Sequence, residues 1–287
     1  MSRTAVSVLI AIAFLVLQPE KTDAQVVPAP AEFASGTMAD ASAACSPPLD
    51  RTRTASACPE PDPLIVIGFM GGRVRATNLV HKEALLVKDL NRRFPNAIYA
   101  KTFANRHEPD ALRTVLRLLD TAKNGLLNAS EKNAARIVIF GHSWGASETV
   151  NFARELGRRG IPVLLTIQVD SIEKSGEDDA TIPPNVLEAI NFYQTQGWLH
   201  GRRLIQAKDP QRTEILGNYE SDYKNSPVPL SGFSWYARAL MKPHIEIEND
   251  GALWNRIETL IVARLGKADL IRAGLPGRPS IPSESAR

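Results

Sequence analysis

The residues best suited to covalent chemistry are Gly141-His142-Ser143-Trp144-Gly145. They form a G-x-S-x-G pattern, which holds a serine hydroxyl out on a turn so tight that the positions two residues to either side must lack side chains. Such a serine can attack an acyl carbon, and the N–H groups that open a following helix can stabilise the negative charge that develops. On composition alone, the pattern arises by chance in roughly one chain in ten of this length. Here the apolar run Ile137-Val138-Ile139-Phe140 directly precedes it, and a stretch with helical spacing, Ala146 to Arg159, directly follows. That strand-turn-helix setting removes most accidental matches and predicts Ser143 as a nucleophile at the carboxyl edge of a sheet. His142 is its neighbour in sequence, but consecutive side chains diverge at such a turn, so His142 is expected to pack beside the sheet.

Ile137 to Gly145 resembles the nucleophile elbow of the α/β-hydrolase family, in its lipase and esterase branch. Gly68-Phe69-Met70-Gly71-Gly72 resembles that family's oxyanion loop, with Ile67 where the family usually carries histidine. The likeness covers about Leu64 to Leu265. It implies an α/β-hydrolase fold, a Ser-His-Asp triad cleaving a small-molecule or lipid ester, and an oxyanion hole formed by the N–H groups of Trp144 and Phe69. It implies no cofactor and no metal. The family's chain order of serine, acid, histidine leaves His200 and His244 as bases. His244 stands just ahead of the last amphipathic stretch, where the family puts its histidine on a loop between last strand and last helix. His200 precedes a strand. For the acid, Asp170 lies 27 residues after Ser143, just past Ile167-Gln168-Val169, while Asp209 follows Leu204-Ile205-Gln206-Ala207-Lys208 at the commoner family position. Asp170 is the preferred acid and Asp209 the alternative.

These side chains need a sheet to carry them. From Leu64 onward, apolar runs of strand length alternate with longer amphipathic stretches, which predicts a mostly parallel sheet covered by helices on both faces. Leu64 to Phe69, Ala97 to Phe103, Ile137 to Phe140 and Pro162 to Ile167 read as strands. Thr77 to Arg93, Pro109 to Lys123, Ala146 to Arg159 and Asp250 to Leu265 carry helical spacing. Asn185 to Gln194 reads as a helix, either part of a cap or a plain covering helix, and Arg203 to Ala207 as a strand. The stretch from Pro210 to Pro243, with Tyr219, Tyr223, Phe233, Trp235 and Tyr236, suits either a cap over the acyl site or plain packing.

Outside residues 64–268, the expected catalytic domain, the chain changes character. Arg3, the apolar run Ala5 to Leu17 and Thr22-Asp23-Ala24 read as an export signal covering residues 1–24, which predicts a periplasmic or secreted protein beginning near Gln25. Thirteen apolar residues fall short of the ~20 that span a bilayer, so no stable membrane span is expected. Residues 25–63 are rich in Ala, Pro, Ser and Thr and read as a lead-in, and residues 269–287 as a frayed tail. Cys45 and Cys58, the only cysteines, can close a disulfide in an oxidising compartment. The net charge of +3 is spread without a long basic run and gives no support to nucleic-acid binding. A binding protein that kept the fold and lost turnover is the rival from another class. Metal-dependent hydrolysis lacks any H-E-x-x-H or similar closely spaced ligand set.

Overall fold

Runs that are apolar without interruption become strands buried on both faces. Leu64–Met70 (β1) is buried at every position, as is Ile137–His142 (β3). In the computed structural model, which describes residues 62–230 and 235–266 apart from the side chains of 236 and 237, these strands lie side by side. The proposed export signal, Cys45, Cys58 and the tail from residue 269 fall outside the described residues.

The remaining elements, in chain order, are α1 (Lys82–Arg93), β2 (Ile98–Ala104), α2 (Glu108–Leu119), α3 (Ala129–Asn133), α4 (Trp144–Arg158), β4 (Val163–Val169), β5 (Thr181–Ile182), β6 (Val186–Tyr193), β7 (Gln206–Ala207), β8 (Glu214–Glu220), α5 (Trp235–Asn249) and α6 (Gly251–Val262). Six strands form one sheet in the order β2-β1-β3-β4-β6-β8, with every pairing parallel, and β5 pairs with β7 separately. Leu64 and Val66 face a core shared with Leu86 and Leu90 of α1 and Trp254 and Ile257 of α6. Ile65, Ile67 and Phe69 face the opposite core, with Val115 of α2 and Val150, Phe152 and Leu156 of α4. The sheet therefore sits between two helical layers, and its parallel strands need both.

The chain runs outward from β1 to β2, then returns to the other side of β1 with β3. Strand order reverses between β1 and β3, and the crevice at the carboxyl ends of such a pair is where open α/β sheets bind ligands. Gly71-Gly72 and Ser143 both lie at that point.

Several elements differ from their sequence expectation. Asn185 to Gln194 is no covering helix: Val186–Tyr193 is an inner strand between β4 and β8. Ile190 and Phe192 face one core and Ala189 the other, and burial on two faces hides the period of two. The helix expected from Thr77 starts at Lys82, after turns in which Asn78 N–H bonds Arg75 O and His81 N–H bonds Asn78 O. His244 lies in a helix and not on a loop. α5 is kinked at Met241 (φ −133°, ψ 22°), and Pro243 falls where a second helical segment begins, a position that tolerates its missing N–H. Of the aromatics between 210 and 243, Tyr219 sits on edge strand β8 stacked on Phe192, with 5.6 Å between ring centroids. The Tyr223 hydroxyl donates to Asp250 at 3.0 Å. Both pack onto the body of the fold.

Candidate active site

Ser143 joins β3 to α4 with φ 58° and ψ −124°, a conformation that a side-chain-bearing residue adopts only under constraint. The constraint comes from its two glycines. A Cβ on Gly141 would sit 2.4 Å from the Gly145 carbonyl, and one on Gly145 would sit 2.0 Å from the Phe69 carbonyl oxygen. Strand, helix and the end of β1 thus meet at contact distance around the serine.

His244 and Asp170 complete a continuous hydrogen-bonded chain. The Ser143 hydroxyl lies 3.0 Å from His244 Nε2, and His244 Nδ1 lies 2.6 Å from Asp170 Oδ2. An ionised carboxylate only accepts, so the histidine carries its proton on Nδ1 and leaves Nε2 to receive the serine proton. All three residues are buried, Ser143 at 0% and His244 at 1% exposure. Asp170 follows β4 at φ 44° and is held by more than the histidine. Its Oδ1 accepts from Gly201 N–H at 2.7 Å and Gln194 N–H at 3.2 Å, and its Oδ2 from Gln194 Nε2 at 2.9 Å. Burial pulls this carboxyl upward, but the bonds from His244 and Gln194 outweigh it and keep it below the usual carboxylate range. Gly201 can come this close only without a Cβ, which would meet the Asp170 backbone at 2.4 Å.

The alternatives from sequence fall elsewhere. Asp209 is partly exposed in a turn, its carboxylate accepting from Gln211 N–H at 3.0 Å. His200 is exposed. Trp144 is the first residue of α4, which sets its peptide N–H at the positive end of the helix. Phe69 lies one residue inside β1, in register with Phe103 on one side and Gly141 on the other, so its peptide belongs to the sheet. The stretch beyond the strand end comes nearer to the serine: a Cβ on Gly71 would be 3.3 Å from Ser143 Cβ. Asn105 Nδ2 holds this stretch by donating to the carbonyls of Met70 and Gly72, the former at 3.0 Å.

Sequence reasoning missed a buried group beside these residues. His81 Nδ1 bonds Glu248, His142 Nδ1 lies 3.9 Å from the other Glu248 oxygen, and Gly71 N–H donates to Glu83 Oε1 at 3.2 Å. Burial would lower His81, but attraction from Glu248 raises it to about 9. Burial first, then the Glu248 charge, drives Glu83 above the carboxylate range. His81, Glu83 and Glu248 present donor atoms within 4.8 Å of one another, the spacing of a metal ligand set. His81 and Glu248 bond each other directly, and the group reads as an ion pair backed by a second carboxylate. No spacing in the sequence signals it, because His81 and Glu248 are 167 residues apart.

No family model matches the chain, and no curated protein sequence does. Among solved structures, it is similar to a cutinase-like protein from Cryptococcus sp., at 13% identity over 78% of this chain and 99% of that one, with a TM-score of 0.36. It is also similar to the thioesterase RedJ of the prodiginine pathway in Streptomyces coelicolor, at 13% identity over 74% and 97%, TM-score 0.34. The similarity to an arylesterase, at 14% identity and TM-score 0.28, spans 39% of this chain and 37% of that protein. The fold assignment rests on the molecule itself: a parallel six-stranded sheet between helical layers, with a strand-serine-helix elbow at its topological switch point, is the α/β-hydrolase architecture.

Proposed function

We propose that this protein is a serine hydrolase that cleaves carboxylic esters through an acyl-enzyme, with Ser143 as nucleophile, His244 as general base and Asp170 as the residue that orients it. The observation that carries the reading is the single imidazole bonded to Ser143 on one side and Asp170 on the other, across sequence separations of 101 and 74 residues. Three segments converge here, two of them with backbone at positive φ, which is a cost a plain turn has no reason to bear.

In the proposed cycle, Ser143 Oγ attacks the acyl carbon as its proton passes to His244 Nε2. The imidazolium is stabilised by Asp170, which Gly201 and Gln194 keep ionised. The oxyanion is met by Trp144 N–H and by a second peptide N–H at the end of β1, that of Phe69 or of the turn after it other than Gly71, which is bonded to Glu83; each such donor is worth about 10²–10³ in rate. The imidazolium then protonates the leaving alkoxide, and water activated by His244 releases the acid. Thioesters and amides fit the same steps, and a binding protein without turnover is the outcome to be excluded.

The test is labelling with a fluorophosphonate probe together with a panel of p-nitrophenyl esters of increasing chain length. Labelling of the parent and its loss in Ser143→Ala, with turnover of at least one ester, is the expected result. A label that survives the substitution removes Ser143 as nucleophile. A labelled protein that turns over no acyl substrate is a binding protein.

A further inference from the structure

The fold gathers positive charge that the sequence scatters. A cavity of about 660 Å³ opens between the 73–77 loop, the second half of β2 and the outer face of α2. Arg73, Arg75, Lys101, Arg106, Arg113 and Arg117 all line it, against one acid, Asp110. The chain as a whole carries only +3. Asp110 is already engaged, bonding Arg113 and lying 3.1 Å from His107 Nδ1. The other five cations have no acidic partner among the described residues. Lys101 has an ordinary reason to be there, since lysine on an edge strand discourages strand pairing. Arg73, Arg75, Arg106 and Arg117 are exposed on the same face, and Arg113 alone among the arginines has its acid there. Arg113 and Arg117 are four residues apart on α2, where like charges destabilise a helix.

The cavity is also held in shape. Thr102 Oγ1 donates to Ala76 O at 2.6 Å, pinning the loop to β2, and Asn78 N–H donates to Arg75 O at 3.1 Å. A concave, single-sign, pre-shaped site focuses its field on an anion, and guanidinium groups match phosphate oxygens in geometry. Its size is that of a small-molecule pocket, not of an extended nucleic-acid track.

We propose that this cavity is an anion subsite of the enzyme and takes a phosphate group carried by the acyl substrate. The inference rests on the hydrolase reading above. β2 is two strands from β3, roughly 10 Å at the spacing of paired strands. Arg73 follows two residues after Gly71, where an added Cβ would meet Ser143 Cβ at 3.3 Å, so the loop joins the two sites within about 7 Å of chain. The proposed phosphate position is thus on the order of 10 Å from the carbonyl under attack, two strand spacings away. It belongs either to a soluble leaving group or to a lipid headgroup.

The first test is independent of turnover: inorganic pyrophosphate is titrated calorimetrically into Ser143→Ala, and into the same protein carrying Arg73→Glu and Arg106→Glu, with thermal melting to verify folding. Saturable binding that weakens at least tenfold in the charge-reversed protein, and also as salt is raised, is expected. No binding, or binding indifferent to the two substitutions, overturns the subsite, and so does displacement of pyrophosphate by single-stranded DNA at lower concentration. The second test compares KM for butyryl-coenzyme A, for dibutyryl-phosphatidylglycerol and for p-nitrophenyl butyrate in both Ser143-containing proteins. The ratio of phosphate-bearing to neutral KM rises at least tenfold for whichever source the subsite serves, and an unchanged ratio for both overturns a substrate role. Pyrophosphate binding without hydrolysis of any ester would instead remove the hydrolase reading and leave an anion site.

Discussion

His142 lies ring against ring with His244, 4.6 Å between centroids and 33° between planes. Burial, and then the neighbouring His244, push His142 down to about 4, so it is neutral through the neutral pH range. It gives the proposed base a ring to rest on without a competing charge. His142→Phe is expected to keep kcat/KM for p-nitrophenyl butyrate within about tenfold of the parent, while His142→Ala loses more, since positioning errors near 1 Å cost about 10² in rate. Equal losses in the two variants contradict a supporting role for the ring.

Glu83 links stability to pH. Its folded value is raised by burial and by Glu248 above the ordinary 4.5, so the folded state favours its protonated form. That stability is fully present below pH 4.5 and is lost as pH rises through the raised value, at roughly 1.4 kcal/mol per unit of difference. Glu83→Gln keeps an acceptor for Gly71 N–H and removes the charge. Urea unfolding should show it more stable than the parent at pH 8 and nearly level at pH 4. A gap that does not change with pH refutes the linkage.

Gly145 has no room for a side chain, since its Cβ would lie 2.0 Å from a backbone oxygen of β1. Gly145→Ala should destabilise by more than about 4 kcal/mol or fail to fold. Gly251→Ala, at the start of α6 with nothing within 4 Å, should stay within about 1 kcal/mol of the parent by denaturant unfolding. Comparable losses at both positions would mean that the elbow is not tightly packed.

The parts of the molecule that could be read in advance are local ones. The elbow announces itself because strand, glycine pattern and helix are contiguous, and Asp170 because it directly follows an apolar run. β6 reads as a helix in the sequence because a strand buried on both faces loses its alternation. The resemblance places His244 on a loop, and Pro243 with the alternation of Ile245, Glu246, Ile247 and Glu248 does nothing to reveal the kinked helix that carries it. The His81–Glu248 pair and the arginine cavity join segments far apart in sequence, and neither periodicity nor composition reports such meetings.

Ser143→Ala, His244→Ala and the double variant should lose ester hydrolysis to a similar extent, because residues acting in one step are not additive. Asp170→Asn should lose up to about 10⁴ in kcat. His200→Ala, exposed, and Asp209→Asn, in a turn, should remain within about tenfold. A collapse in Asp209→Asn with a mild Asp170→Asn would exchange the two acids.

The most direct measurement is the mass of the acylated protein. The parent is mixed with p-nitrophenyl butyrate, quenched in acid within the first turnovers, digested and analysed by mass spectrometry. One butyryl group is expected on Ser143, absent from the quenched His244→Ala protein. Turnover with the acyl group on another residue, or with no acylated peptide at any quench time, would contradict it.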